Sequence, residues 1–110
     1  MGRSRFGELE EQVVLSLLRL GGESYAVPVA EQLAEVANRD VSPATVYMVL
    51  RRLEAQGLVS SHVGDPLPVR GGRPRRFYTV DREAVLPMLQ RSRRAMLSLW
   101  DGLEPMLDES

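Results

Sequence analysis

The sequence predicts a mainly α-helical fold with one small β-hairpin. Four segments carry apolar residues every three or four positions, which is the spacing of helices that bury one face. Between the third and fourth segments lie two short runs that alternate like strands, joined by a loop rich in glycine and proline. A chain of 110 residues buries only a modest core, so association with a second copy would add to its stability.

The first helix is predicted from Glu8 to Leu20. Its apolar residues Leu9, Val13 and Leu17 fall on one face. Acidic residues occupy its first turn, where the helix dipole favours negative charge, and a pair of glycines ends it. This pattern is typical of a scaffold helix that contributes to the core.

A second helix is predicted from Val27 to Asn38, with Pro28 near its start. Val29, Leu33 and Val36 form its apolar stripe. The residues that follow turn the chain into a third helix, which gives the order helix-turn-helix.

The third helix begins at Ser42 and Pro43, which suit the N-cap and the first helical position. Its buried face is expected to carry Val46, Val49, Leu50 and Leu53. Its outward face is small at the start and basic beyond: Ala44, Met48, Arg51, Arg52 and Ala55. Small residues allow close approach to a major groove, and arginine can donate two hydrogen bonds to guanine. We interpret this as a DNA-reading helix, which Gly57 ends in a left-handed conformation.

The hairpin strands are predicted at Leu58–Val63 and Arg76–Val80. The loop between them, residues 64–75, contains three prolines, three glycines and the arginines Arg70, Arg73 and Arg75. Such a cationic tip can lie along phosphates or insert an arginine into a minor groove. The hairpin therefore completes a winged helix-turn-helix DNA-binding domain over residues 1–80.

The last segment, residues 81–110, is predicted to be a C-terminal dimerisation helix that continues to about Leu107. Asp81 can cap it, and Pro87 is expected to kink it or to mark its true start. Alternating steps of three and four residues define a heptad seam: Leu86, Leu89, Arg93, Met96, Trp100, Leu103 and Leu107. The expected partner of such a seam is a second copy of the chain.

Several motifs occur together and in order along the chain. They are Ser42-Pro43-Ala44-Thr45-Val46-Tyr47, Arg52-Leu53-Glu54, Gly57-Leu58-Val59 and Gly72-Arg73-Pro74-Arg75-Arg76-Phe77-Tyr78, preceded by Leu9, Leu15, Leu17, Leu18, Gly21 and Tyr25. With these motifs nearly the whole chain resembles the PadR family of bacterial winged-helix regulators. One departure is Tyr25-Ala26, where the family often has Tyr-Gly. The resemblance implies repression of transcription and dimerisation through the C-terminal helix.

Charge is segregated along the chain, although the net charge is only −1. Residues 42–94 hold ten arginines and four acidic residues, whereas residues 95–110 hold four acidic residues and no basic one. A cationic block over the third helix and the wing suits the phosphate backbone. Double-stranded DNA is therefore the partner that the charge pattern favours.

The composition excludes several classes of protein. No cysteine is present, which rules out disulfides and thiolate chemistry and agrees with a reducing cytoplasm. No apolar run is long enough to span a membrane, so a cytoplasmic, nucleoid-associated protein is expected. No P-loop, dinucleotide turn or catalytic His/Ser/Asp set is present, and His62 stands alone on a strand. We expect neither an enzyme nor a cofactor nor a metal site.

The DNA contacts are assigned from the third helix and the wing. Met48 and Arg51 are expected to read bases. The remaining residues assigned to the interface, mostly to phosphates, are Ser42, Ala44, Thr45, Tyr47, Arg52, Arg70, Arg73, Arg75 and Arg76. Two alternatives stay open at this point: Tyr47 as a half-buried ring against the wing, and the helix arginines as a solvated face or as partners of Glu54.

Trp100 permits two interpretations. In some PadR-like regulators a tryptophan of the C-terminal helix helps to form a pocket for flat aromatic compounds at the dimer interface. Trp100 occupies a matching place, with Met96 and Leu103 one step away along the seam. The resemblance thus implies a planar hydrophobic effector bound by these three residues. The alternative is a ring that fills a dry dimer core.

The leading hypothesis is a dimeric, sequence-specific DNA-binding transcriptional repressor that a small effector releases. Each recognition helix would occupy one half-site of a pseudo-palindromic operator, about one helical turn from the other. The alternative is a winged-helix protein-protein interaction module whose working surfaces are the acidic tail and the heptad helix. Such a module has no need of the cationic block over residues 42–94.

Overall fold

The computed structural model of the protein describes residues 6–64 and 75–108. Over these residues the elements follow one another as α1 (Glu8–Arg19), β1 (Glu23–Ser24), α2 (Ala26–Ala37), α3 (Pro43–Ala55), β2 (Val59–Val63), β3 (Arg76–Val80), α4 (Arg82–Trp100) and α5 (Glu104–Asp108). The predicted fold class, mainly α-helical with a small antiparallel sheet, is confirmed.

The two ends of α3 form as the sequence predicts. The Ser42 Oγ accepts a hydrogen bond from the backbone N–H of Thr45 at 3.1 Å, and Pro43 is the first helical residue. Gly57 follows the helix with a φ of 78°, a conformation that a Cβ would strain. Local chemistry therefore determines where the helix begins and where it ends.

The helix α2 begins one residue before the predicted start. Tyr25 is its N-cap, so Pro28 lies at the third helical position. Proline is tolerated there because the backbone N–H groups of the first turn have no partner within the helix. Asn38 ends the helix in the left-handed conformation, with a φ of 51°.

The predicted hairpin is part of a three-stranded antiparallel sheet in the order β1-β3-β2. In the hairpin, Ser61 pairs with Tyr78 and Val63 pairs with Arg76. The additional strand β1, which the sequence did not predict, pairs Glu23 with Thr79. Two residues are too few for an alternating pattern, so only tertiary pairing reveals this strand.

The core lies between the helices and the inner face of the sheet. Its fully buried side chains come from α1, α2, α3, β3 and the first turn of α4: Val13, Val14, Leu17, Val29, Leu33, Val46, Val49, Leu50, Leu53, Tyr78 and Val85. The predicted buried face of α3 is thus confirmed in full. Val36, predicted on the apolar stripe of the second helix, is instead exposed.

The last helix does not continue to Leu107 as predicted. The helix α4 ends at Trp100, a turn follows, and the short α5 begins at Glu104. Gly102 takes a φ of 83° in this turn. Pro105 explains the break, because a continuous helix would place its ring against the carbonyl of Asp101 and remove one hydrogen bond. Pro87, by contrast, lies inside α4, which starts at its Asp81 cap.

Among the described residues, no helix combines the length and the apolar character that crossing a membrane would require.

Candidate nucleic-acid interface

The outward face of α3 is open to solvent. Ala44, Met48, Arg51 and Arg52 are all exposed there, and Met48 keeps 58% of its accessible surface. The opposite face is fully buried, so the helix presents one fixed surface. A methionine and two arginines on a rigid exposed face can offer apolar contact and hydrogen-bond donors to base edges.

The arginine side chains of α3 have no partner among the described residues. Over residues 6–64 and 75–108, neither the Arg51 nor the Arg52 guanidinium makes a hydrogen bond or an ion pair. Arg39 provides a contrast, since its Nη1 lies 2.7 Å from Glu8 Oε1 and 3.1 Å from Gln12 Oε1. The alternative in which the α3 arginines pair with Glu54 is therefore not what the structure shows. Their donors face solvent.

The first turn of α3 is held by its own side chains. The Ser42 hydroxyl donates to Thr45 Oγ1 at 3.0 Å while accepting the Thr45 backbone N–H. Both residues are exposed, so both hydroxyls remain at the surface of the helix start. Ser42 thus acts as the helix cap. A contact between its hydroxyl and DNA would have to form alongside these capping hydrogen bonds.

Tyr47 lies on the flank of α3 that faces the sheet. Its ring packs edge-on against Tyr78, with 6.4 Å between the ring centroids. Tyr78 is fully buried, and this burial, with a further contribution from Tyr47, raises the pKa of Tyr78 to about 12. Tyr47 itself is 37% exposed, so one ring edge supports the sheet while the rest faces outward. Both predicted interpretations of Tyr47 are compatible with this position.

The inner face of the sheet is tied to α3 by a chain of polar contacts. The Ser61 hydroxyl donates a short hydrogen bond to Glu54 Oε2, and Arg76 Nη1 donates to Ser61 Oγ at 3.1 Å. Sequence reasoning assigned Arg76 to phosphate but missed Glu54 and Ser61. Strand alternation places Ser61 on the inner face with Val59 and Val63, and this was the available signal.

The outer face of the sheet carries a row of stacked rings. The Arg75 guanidinium lies over the Tyr25 ring at 4.6 Å, Tyr25 meets Phe77 edge-on at 5.4 Å, and Phe77 stacks on His62 at 5.7 Å. A Cβ on Gly64 would lie 2.5 Å from the Phe77 ring, so any larger residue there would require this ring to move. Arg75 is thus held at the base of the wing by a cation–π contact. Arg70 and Arg73 lie outside the described residues.

The C-terminal segment exposes a long apolar surface, here called the C-terminal stripe. It consists of Leu86, Met96, Leu97, Leu99, Trp100, Leu103, Met106 and Leu107, each at least 38% exposed. Of the predicted seam, Leu89 packs in part against the core of its own chain, and Arg93 is exposed. The break after Trp100 places Leu103 and Leu107 beyond the end of α4.

Metal binding has no support in the described part of the chain. Among residues 6–64 and 75–108, no three His, Cys, Asp or Glu side chains are grouped as potential ligands.

Comparison with known proteins agrees with this geometry. The model of the transcriptional regulator PadR-like family matches residues 14–83. A crystal structure of a PadR family transcriptional regulator from Eggerthella lenta DSM 2243 is similar, with 28% identity and a TM-score of 0.65, over 94% of this chain and 88% of that one. No curated protein sequence matches.

Two more distant structures share the fold. A PadR family regulator from Clostridium difficile R20291 is 21% identical, with a TM-score of 0.65 over 88% of this chain and 98% of its own. Pex from Synechococcus sp. is 23% identical, with a TM-score of 0.58 over 84% of this chain and 85% of its own. At such identities the likeness concerns the fold alone.

Proposed function

This chain belongs to the transcriptional regulator PadR-like family, whose members are DNA-binding proteins and not enzymes, and on that premise we propose that it represses transcription as a homodimer on a pseudo-palindromic operator. One recognition helix, α3, would occupy each half-site, and the half-sites would lie about one helical turn apart. The protein would act at the nucleoid.

This proposal rests on the exposed face of α3, where the arginine side chains form no ion pair with the described residues. Burying a guanidinium against DNA costs least when no intramolecular ion pair has to be broken first. Arg51 and Arg52 meet that condition among the described residues, while the buried face of the helix fixes their direction. The next turn towards the helix start offers Met48 and the small Ala44, which leave room for the edges of bases.

We divide the contacts between base reading and phosphate binding. Met48 and Arg51 are the longer side chains nearest the centre of the exposed face, opposite the buried residues of α3, and are proposed to read bases. Ala44 is proposed to permit close approach of the helix to the groove. The flanking and wing residues are proposed to bind the phosphate backbone of the DNA: Ser42, Thr45, Tyr47, Arg52, Arg70, Arg73, Arg75 and Arg76. Of these, Arg75 would contribute only if DNA competes with its stacking on Tyr25.

The dimer is proposed to form through residues 81–110, while residues 1–80 bind DNA. The C-terminal stripe supports this, because a row of exposed leucines with Met96 and Trp100 is costly to leave in water. The proposed interface residues are those of the seam: Leu86, Leu89, Arg93, Met96, Trp100, Leu103 and Leu107.

A small planar effector is proposed to bind beside Trp100 at the dimer interface, with Met96 and Leu103 as neighbours. Trp100 is the only tryptophan of the chain and is 38% exposed. Its emission therefore reports this site alone. Planar aromatic compounds should quench it, whereas unchanged emission across a panel of them would favour a dry core.

The test of the function is a titration of the protein against two duplexes of equal length. One is the DNA upstream of its own gene and the other a random sequence, in salt from about 50 to 300 mM. Preference for the upstream DNA, with affinity that falls steeply with salt, is the expected result. Absence of binding to either duplex at the lowest salt would contradict the proposal and favour a protein-interaction module.

The Arg51→Ala variant tests the division of contacts on the same two duplexes. Loss of a bidentate contact should weaken specific binding by about 1–3 kcal/mol and reduce the preference for the specific DNA. Arg52→Ala is the matched control, and it should weaken both duplexes to a similar extent. Equal losses on both duplexes for Arg51→Ala would contradict its role as a base reader.

A further inference from the structure

A polar chain connects the recognition helix to the wing on the inner face of the sheet. The Ser61 hydroxyl donates to the carboxylate of Glu54 on α3 and accepts from the guanidinium of Arg76 on β3. Ser61 pairs with Tyr78, and Val63 pairs with Arg76, so Ser61 and Arg76 are diagonal neighbours on one face of the hairpin. Three elements thus meet at one hydroxyl group.

The direction of each hydrogen bond follows from the chemistry of the groups. A serine hydroxyl has a single proton, and an ionised carboxylate can only accept. Ser61 therefore donates its one O–H to the Glu54 carboxylate, which leaves the lone pairs of Ser61 Oγ to accept from Arg76. The carboxylate in this way fixes the orientation of the hydroxyl, and the hydroxyl fixes the guanidinium.

Arg76 keeps most of its capacity for a further partner. A guanidinium has five N–H donors, and among the described residues Arg76 uses one of them, in the hydrogen bond from Nη1 to Ser61. The residue is exposed at the start of β3, beside the base of the wing. A side chain that is held at one nitrogen and exposed at the others is pre-organised for a phosphate, because less rotamer entropy is lost on binding.

On the proposed function, α3 enters the major groove and the wing lies towards the neighbouring minor groove, so the phosphate backbone between the two grooves would cross the gap between α3 and the wing, beside this site. Glu54 and Tyr47 are seven residues apart, so they lie on the same flank of α3, the one that meets the sheet. This flank is next to the exposed face that carries Arg51.

We propose that Glu54 and Ser61 are positioning residues, which orient Arg76 towards a DNA phosphate in the gap between recognition helix and wing. The inference rests on the proposed DNA-binding function. Neither positioning residue contacts DNA. Their effect on binding passes through Arg76, and it is independent of DNA sequence because a phosphate carries no sequence information.

The experiment is a double-mutant cycle on a random duplex of about 30 base pairs at low salt, where phosphate contacts dominate binding. The variants are Ser61→Ala, Arg76→Gln and the two combined. Changes at Ser61 leave the net charge unaltered, so they do not disturb the general attraction to DNA. Ser60→Ala is the matched control, since Ser60 is exposed and adjacent in the strand but points to the opposite face. Ser61→Thr restores the hydroxyl.

Ser61→Ala should weaken binding by about fivefold, the effect of one hydrogen bond, and Ser61→Thr should recover most of that loss. In the Arg76→Gln background, Ser61→Ala should change affinity by less than about twofold, which is the scatter of independent sites. Arg76→Gln should lower the salt slope by about one. Ser60→Ala should bind as the unaltered protein does.

Three results would overturn the inference while leaving the proposed function standing. They are full affinity in Ser61→Ala, an equal loss from Ser61→Ala with and without Arg76, and an unchanged salt slope in Arg76→Gln. The second of these would mean that Ser61 acts only on the stability of the sheet. Failure of the unaltered protein to bind any duplex at low salt would overturn the proposed function itself.

Discussion

At the scale of single residues, Tyr78 links the core to the proposed DNA-binding surface. Its side chain is fully buried, it pairs with Ser24 and Ser61 in the sheet, and its ring supports Tyr47 of the recognition helix. Its buried hydroxyl makes no hydrogen bond of good geometry among the described residues, although the nearby Tyr47 hydroxyl interacts with it weakly enough to add only a minor part of the raised pKa. An unsatisfied buried hydroxyl lowers stability, so the ring, and not the hydroxyl, accounts for the structural role of this residue.

We therefore expect Tyr78→Phe to be at least as stable as the unaltered protein at pH 7. The difference in free energy of unfolding between Tyr78→Phe and the unaltered protein should widen at high pH. The folded-state pKa of Tyr78, about 12, lies above the value of about 10 for an unfolded chain. Ionisation of Tyr78 is therefore less favourable in the folded state than in the unfolded chain. The unaltered protein keeps its full stability below about pH 10 and loses stability through Tyr78 as the pH rises towards 12.

Urea unfolding at pH 7 and at intervals from pH 9.5 to about 11.5 would measure this difference. Tyr25→Phe, which changes a half-buried ring on the opposite face of the sheet, is the matched control. A clear loss of stability in Tyr78→Phe at pH 7 would show that the buried hydroxyl has a stabilising partner.

At the scale of elements, the sequence predicts those features that local chemistry determines. The Ser42 cap, Gly57 and the hydrophobic face of α3 are local signals, and each was found where the sequence placed it. The strand β1 and the contacts of Arg75 depend on residues distant in sequence, so no local pattern contains them. The break after Trp100 could have been predicted from Pro105, which cannot continue a helix without loss of a hydrogen bond. The heptad spacing, which continues to Leu107, predicted an unbroken helix instead.

Gly57 offers a test of the local control of α3. A Cβ at this position would meet nothing within 4 Å, so any loss in Gly57→Ala reflects the strained left-handed backbone alone. We expect a loss of about 1–2 kcal/mol for alanine, because this conformation is unfavourable for residues with a Cβ. Gly57→Asn should lose less, since asparagine tolerates the left-handed region.

Urea unfolding of the two Gly57 variants would give both values under one set of conditions. An alanine variant as stable as the unaltered protein would indicate that the helix ends by some other means. The same conclusion would follow if asparagine were worse than alanine.

At the scale of the whole molecule, the chain is more extended than a compact chain of its length. Its radius of gyration is 16.2 Å, whereas about 13 Å is typical of a compact chain of this length. The second half of α4 contributes to this extension, because every side chain from Arg93 to Trp100 is exposed and none packs against the core. The C-terminal stripe lies along this part of the chain, where a symmetric partner could cover it.

The variant Met96→Glu should dissociate the proposed dimer. Met96 is 57% exposed on α4, so the change leaves the core intact while placing a charge in the apolar stripe. Ser98→Glu introduces the same charge at an exposed position of α4 opposite the seam and is the matched control. Light scattering after size exclusion should give twice 12.3 kDa for the unaltered protein and the control, and 12.3 kDa for Met96→Glu. Equal masses for all three proteins would contradict the proposed interface.

On the proposed function, two copies of α3 read one symmetric DNA site. The most direct measurement is selection of bound fragments from genomic DNA by the purified protein, followed by hydroxyl-radical footprinting of the enriched sequence. We expect one enriched inverted repeat, protected as two half-sites whose centres lie about one helical turn, or a multiple of it, apart. Recovery of fragments without any shared sequence, or a footprint without two-fold symmetry, would contradict the account.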